Sequence, residues 1–290
     1  MNEYVIITDS GADLTQKMAE DLEVQVLPLS FTIRGTTLRD LPDHRDMSST
    51  EFYRLIREGE MPTTSAVNIQ QYLDLLTPLL ECGRDVLILS FDSGISATYQ
   101  SSAIAAQELS KRYPNQKIYA VDTLCATLGQ ALLVRMAVER KRAGADIDSL
   151  RQWVEDNKLR VCTWFTPNDL MHLKRGGRIS ATTAVVGTML QIKPVLHVDN
   201  EGHLINMEKA RGRKASLDYL FNRVAKTAIG PDKHPMYIAH TECAEDAQYL
   251  AQRLREELKV PEVVIGYVGP VIGCHLGCGA VVVNFLGSER

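Results

Sequence analysis

Three short apolar runs, residues 4–8, 86–90 and 117–121, stop abruptly at small polar residues: Thr8-Asp9-Ser10, Ser90 to Ser93, and Asp122-Thr123. Short β-branched runs alternating with longer amphipathic segments are the pattern of a parallel sheet covered by helices on both faces. In such sheets ligands collect beyond the carboxyl ends of the strands, where these polar stops fall. The pattern predicts strands at Tyr4–Thr8, Val24–Ile33, Asp85–Ser90 and Lys117–Val121. It predicts helices over Leu14–Asp21, Ser49–Glu58, Asn68–Leu80, Ser96–Tyr113, Ala126–Ala143 and Ile147–Asn157. Ser49 and Thr50 ahead of Glu51 supply a capping signal for the second of these. From Arg34 to Ser49 the chain is polar, with Gly35 and Pro42, and reads as an irregular surface excursion.

Beyond about Arg160 the rhythm changes to strand, helix, helix and then two β-like runs, Pro194–Val198 and His203–Glu208. The polar link Asp199-Asn200-Glu201-Gly202 signals a hairpin, and a hairpin means antiparallel pairing. A helix at Ala215–Thr227, a strand at Met236–Ala239, a helix at Glu245–Leu258, a strand at Glu262–Val268 and an apolar run at Ala280–Leu286 follow. At roughly 150 residues per domain, the 290 residues accommodate two. The expected fold is α/β: an N-terminal three-layer domain with a mainly parallel sheet over 1–158, and a C-terminal α+β domain with a mixed sheet over 159–290.

Lys and Arg number 32 against 36 Asp and Glu, a net charge of -4 that offers no electrostatic argument for nucleic acid or an anionic membrane. Met1 to Thr8 runs straight into Asp9, without the basic start and cleavage site of a secretory signal. No run reaches the roughly 20 apolar residues of a membrane span. The expected location is the cytoplasm, with membrane contact at most transient. The six cysteines are scattered, so reduced thiols are the default.

Pro62-Thr63-Thr64-Ser65 precedes the helix predicted near Asn68, and Ser93-Gly94-Ile95-Ser96-Ala97-Thr98 leads from a strand into a helix. Hydroxyls and free N–H groups at helix starts either cap the helix or bind a carboxylate or phosphate. Lys174-Arg175-Gly176-Gly177-Arg178-Ile179-Ser180 joins two predicted helical segments and gathers three cations around a glycine pair. It reads as a solvated loop or an oxyanion site. Lys209-Ala210-Arg211-Gly212-Arg213-Lys214 is more basic still, and meets a phosphate, an acidic partner or only water. In the segment Gly269 to Gly279, Cys274, His275 and Cys278 invite a zinc reading, yet no second cysteine pair lies nearby. Its glycines suggest instead a tightly packed turn that exposes His275 for hydrogen bonding, and no metal is expected. Ser93 or Ser96 with a histidine and Asp9 suggests a hydrolase triad, but the Gly-x-Ser-x-Gly elbow is missing. The Rossmann and Walker glycine motifs are missing too.

Taken in order, Thr8-Asp9-Ser10, Pro62-Thr63-Thr64-Ser65, the run Ser93 to Gln100, Val121-Asp122-Thr123, the run Leu173 to Ser180, Ile192-Lys193-Pro194 and Gly269-Pro270-Val271-Ile272-Gly273 with His275 resemble the DegV family of bacterial fatty-acid-binding proteins. The matches cover almost the whole chain. Three motifs depart from the family pattern: Thr-Ser-Gln-Pro-Ser is Thr64-Ser65-Ala66-Val67-Asn68, Gly-Leu-Ser-Gly-Thr is Gly94-Ile95-Ser96-Ala97-Thr98, and Thr-His-Thr-Gly-Pro-Gly is Cys274 to Gly279. The principal hydroxyls survive.

The resemblance implies a protein with no catalytic turnover of its own that holds one long-chain fatty acid between its two domains. By motif position the carboxylate falls to Thr64 and Ser96. It also implies a separate fatty-acid kinase, to which the bound acid is presented for acyl phosphate formation in phospholipid synthesis. Ser65, Ser93, Arg178, Arg211 and His275 are candidate contacts for the head group or that partner. A tail in an apolar tunnel contributes about 0.8 kcal/mol per buried methylene, most of the binding energy of a long chain. The alternative from another class is a transferase or hydrolase acting on a phosphorylated or carboxylated small molecule.

Overall fold

Strands β1 (Tyr4–Asp9) and β6 (Asp85–Ser90) are buried at every position, as strands covered on both faces must be. With β2 (Gln25–Leu27) and β7 (Ile118–Asp122) they form a wholly parallel sheet of order β2-β1-β6-β7. In this computed structural model, which describes residues 3–180 and 191–290, helices Ile69–Glu81 and Thr98–Arg112 pack together against the sheet, and Ile147–Asn157 packs on β6 and β7 with Thr127–Arg142 against it.

The run predicted as one strand, Val24–Ile33, is two. Proline has no N–H for a ladder, and the chain leaves the parallel sheet at Pro28. Strand β3 (Ser30–Ile33) pairs instead with β4 (Thr36–Arg39) and β5 (Thr63–Ser65) in a small antiparallel sheet, β4-β3-β5. The excursion after Arg34 therefore contains a strand. Arg34 (φ 50°) and Gly35 (φ 76°) make the two-residue turn into it, and positive φ at both positions suits a tight hairpin. The helix Ser49–Arg57 is capped by Ser48, one residue before the expected cap.

The C-terminal sheet has the order β10-β9-β8-β13-β11-β12, from β8 (Val161–Thr166), β9 (Ile192–Val198), β10 (Leu204–Arg211), β11 (Met236–His240), β12 (Val263–Tyr267) and β13 (Val281–Leu286). Strands β11 and β12 run parallel and the other pairs antiparallel, so the sheet is mixed. The predicted hairpin is β9–β10. Of the two helices expected between β8 and β9, the first is Met171–Arg175, and the second falls outside the described residues.

Period-two alternation divides this sheet between two cores. Cys162, Trp164, Val281, Val283 and Phe285 pack in one cluster beneath helices Arg213–Thr227 and Ala244–Glu257. Phe165, Leu196, Tyr237 and Val282 belong to the core of the first half of the chain. The helix Thr127–Arg142 is what they meet: it touches β8, β11 and β13, and Leu128 to Val134 is buried throughout. That first half, enclosed on all sides, needs no polar face, and the charged residues gather in the more exposed second half, from Arg135 to Arg142.

Candidate functional site

The inner face of the C-terminal sheet and the polar ends of the parallel strands wall a cavity of about 260 Å³. Phe91, Ile95 and Ala126 line it from one side, and Phe165, Val198 and Val282 from the other. Thr64, Ser65, Ser96, Arg178 and His275 line the same space. Ser93 and Arg211 do not: both are exposed, Ser93 with its N–H donating to Asp122 Oδ1 (3.2 Å), Arg211 at the end of β10 opposite Ile192.

The hydroxyl run at 63–65 is a strand rather than a helix cap. Asn68 caps the helix Ile69–Glu81 in a reciprocal box with Gln71, leaving Thr64 and Ser65 to other partners. Thr64 Oγ1 lies 3.0 Å from His275 Nε2. His275 sits not on an exposed turn but half-buried in a short helix, Pro270–Leu276, started by Pro270 at its first turn and ended by Gly277 at φ 67°. Its Nδ1 is buried without a hydrogen-bond partner, so the ring engages polar groups through Nε2.

Gly176 packs directly against this ring, since a Cβ there would overlap His275 Nδ1. Arg178 folds back from the same loop, donating from Nε to the Ile95 carbonyl at 3.1 Å and from Nη1 to the Gly176 carbonyl at 2.5 Å. Ile95 immediately precedes Ser96, whose Oγ accepts from the Thr98 N–H at 3.2 Å and lies 2.9 Å from Thr98 Oγ1. Thr64, Ser96, Arg178 and His275 thus supply the polar groups of a cavity whose lining is otherwise mainly apolar, with Thr64 and His275 in mutual contact and Arg178 anchored to the carbonyl of the residue before Ser96. Burial, reinforced by Arg178, His172 and Arg175, pushes the His275 pKa down to about 4, so the imidazole is neutral at pH 7. Burial also lowers that of Arg178, which stays a cation. One cation and several neutral hydrogen-bonding groups suit a single carboxylate.

Sequence reasoning missed what holds Ser96 in place. Asp92 is 0% exposed; one carboxyl oxygen accepts the Gly94 N–H at 2.9 Å, and its main-chain carbonyl accepts the Ser96 N–H at 3.1 Å. Burial raises its pKa to about 7; the Gly94 hydrogen bond opposes the rise, Asp122 and Asp199 add to it, and Arg290 opposes it. The β9–β10 turn closes over this carboxyl. A Cβ on Gly202, at φ 84°, would overlap Asp92 Oδ1, and one on Gly94 would lie 2.6 Å from the Gly202 carbonyl carbon. The available signal was the Asn-Glu-Gly turn, read only as a hairpin. Among the described residues no His, Cys, Asp and Glu cluster has the arrangement to hold a metal ion, and no helix is long and apolar enough to cross a membrane.

The sequence profile of the DegV family matches residues 3–287. A DegV domain-containing protein of Clostridium perfringens is 44% identical over 290 residues, covering 100% of this chain and 99% of its own. Among solved structures, a fatty-acid-binding DegV family protein from Thermus thermophilus superposes with a TM-score of 0.88 at 29% identity, over 98% of this chain and 99% of that one. DegV of Bacillus subtilis, a fatty acid binding protein, gives 0.84 at 30% identity with 98% and 99% coverage. With sequence and fold both matching from end to end, the chain belongs to the DegV family.

Proposed function

We propose that the cavity holds one long-chain fatty acid, its tail along the apolar lining and its carboxylate at Thr64 and Ser96. The observation that carries this reading is the gathering of Thr64, Ser96, Arg178 and His275 in one mainly apolar cavity, with Thr64 and His275 in contact and Arg178 held at the carbonyl of Ile95. The Thermus thermophilus and Bacillus subtilis relatives, fatty-acid binders with the same fold, support it. On this reading the two walls of the site are separate domains, 1–158 and 159–290, with the ligand between them. Ser65 lies beside the carboxylate and Ser93 outside the cavity mouth.

The protein has no turnover of its own and works in the cytoplasm. It presents the acid to a separate fatty-acid kinase, and the acyl phosphate formed there enters phospholipid synthesis. Arg211, exposed and off the cavity, serves that partner, while Arg178 and His275 steady the charge at the head group. Native mass spectrometry of protein purified from cells tests the first step: a co-purifying fatty acid is expected, and consistently empty protein refutes it. For the second, Arg211→Ala is expected to leave fatty-acid retention unchanged while slowing kinase-coupled acyl phosphate formation; unaltered coupling removes Arg211 from the role.

A further inference from the structure

The short helix that carries His275 has no side-chain cap from its own N-cap residue, and Pro270 at its start has no N–H to satisfy. The N–H groups on either side of that proline go to two carboxyls from the first domain. Asp13 Oδ1 accepts from Gly269 at 2.9 Å, and Asp40 Oδ2 accepts from Val271 at 3.3 Å. Both acids are fixed through their own backbones: the Asp13 N–H donates to the Ser10 carbonyl at 3.1 Å, and the Asp40 N–H to the Leu29 carbonyl at 2.9 Å. They converge on one point, since a Cβ on Gly269 would lie 2.8 Å from Asp13 Oδ1 and 3.1 Å from Asp40 Oδ2. Asp40 is 3% exposed, and the second Asp13 oxygen is buried without a partner.

Two buried carboxylates this close repel, so the pair keeps a proton where solvated acids would have lost theirs. Burial raises the pKa of Asp40 to about 7, and burial with the neighbouring Asp40 holds that of Asp13 well above the ordinary range. Tyr53 and Cys274 face the pair, with Cys278 beside Tyr53, and His44 and Tyr267 border the adjoining cleft. Burial raises the tyrosines and thiols and lowers His44, so all five are neutral at pH 7. Arg175 and His172 act at the far end of the helix, on His275, and Arg57 and Glu242 act on Cys278. Among the described residues no cation stands beside the pair to offset a second charge.

We infer that Asp13 and Asp40 are positioning residues for the head-group site: while the pair keeps a proton it seats the helix that presents His275, and loss of that proton drives the carboxyls apart and weakens the hold on the fatty acid. The inference rests on the fatty-acid reading above. Val271 and His275 are one helical turn apart and both line the cavity, so a shift at the helix start reaches the Thr64–His275 contact.

The test is the affinity for octadecanoic acid across about pH 6 to 9 in wild type, Asp13→Asn and Asp40→Asn. Asparagine keeps an acceptor oxygen and takes no charge, so each variant mimics the protonated acid. The ligand's own ionisation is common to all three proteins, and the variant-to-wild-type ratio at each pH isolates the pair. The ratio is expected to be near one at the acid end and to reach about tenfold at the alkaline end, where wild type binds more weakly, which corresponds to a pair pKa about one unit higher in loaded than in empty protein. A ratio equal at both ends for both variants, as a purely structural cap would give, overturns the inference and leaves fatty-acid binding intact. In unaltered protein the amide NMR signals of Gly269, Val271 and His275 are expected to shift together over the same range, and signals that stay fixed overturn it without need of a variant that folds. Failure of wild type to bind the acid at any pH overturns the fatty-acid reading and this inference with it.

Discussion

Replacing Gly202 by alanine separates a local backbone effect from a contact between the two walls of the site. Gly202 has φ 84°, and an L-residue in the left-handed region costs about 1–2 kcal/mol. Its new methyl would also occupy the position of Asp92 Oδ1, forcing that carboxyl off the Gly94 N–H. Losing a buried hydrogen bond of this kind costs a further ~1–2 kcal/mol, giving about 2–4 kcal/mol in all. Gly59→Ala is the control: φ is 95°, but nothing lies within 4 Å of a Cβ there, so only the backbone cost remains. Urea denaturation followed by fluorescence, with the transition slope checked for constancy, reads both. The midpoint of Gly202→Ala is expected to fall about twice as far, with fatty-acid affinity reduced because the displaced loop carries Ser96. Equal losses in the two variants, with affinity unchanged, would refute the reasoning.

Thr64→Ala and Ser96→Ala are each expected to weaken fatty-acid retention about tenfold or more, since each removes a hydrogen bond to a charged group, without lowering the unfolding free energy by more than about 1 kcal/mol. Retention at wild-type level in both would dismiss the assigned carboxylate site. Gly176→Ala drives its loop off His275 and should lower affinity as His275→Ala does; the two together should cost little more than either, which a double-mutant cycle measures. Burial raises the pKa of Asp9, Asp40 and Asp92 to about 7 in the folded chain, against an ordinary 3.8. The native state thus keeps protons that the unfolded chain releases, and this contribution is full below about pH 4 and lost as pH rises through about 7. The urea midpoint should decline from about pH 5 to about pH 8, less steeply in Asp92→Asn, and a flat or rising profile counts against the assignment.

The parallel sheet was legible because its strands are buried on both faces, leaving β1 and β6 with no polar alternation to confuse the reading. The small antiparallel sheet was not. Its strands span four, four and three residues, too short to show a period, and β5 consists of hydroxyl residues that also suit a helix start. Of the site, the hydroxyl motifs announced themselves as clusters, and the cavity brings Thr64 and Ser96 together with Arg178 and His275. What holds them stayed hidden, because those contacts join positions far apart in the chain. Gly176 matters through His275, and Gly202 through Asp92, and neither pairing leaves a trace in local spacing.

A cavity walled by both halves of the chain makes its occupant a fastener. Ligand that binds only the assembled state, at a hundredfold excess over its dissociation constant, adds about 2.7 kcal/mol to that state. The gain falls across the seam where the β9–β10 turn meets Asp92 and where the helix Thr127–Arg142 lies between the sheets. Loaded and empty protein would then differ least in their outer helices and most along this seam. Amide hydrogen exchange should slow at Gly94, Ser96 and Gly202 when the acid is bound, so that the cargo itself sets how often the container opens.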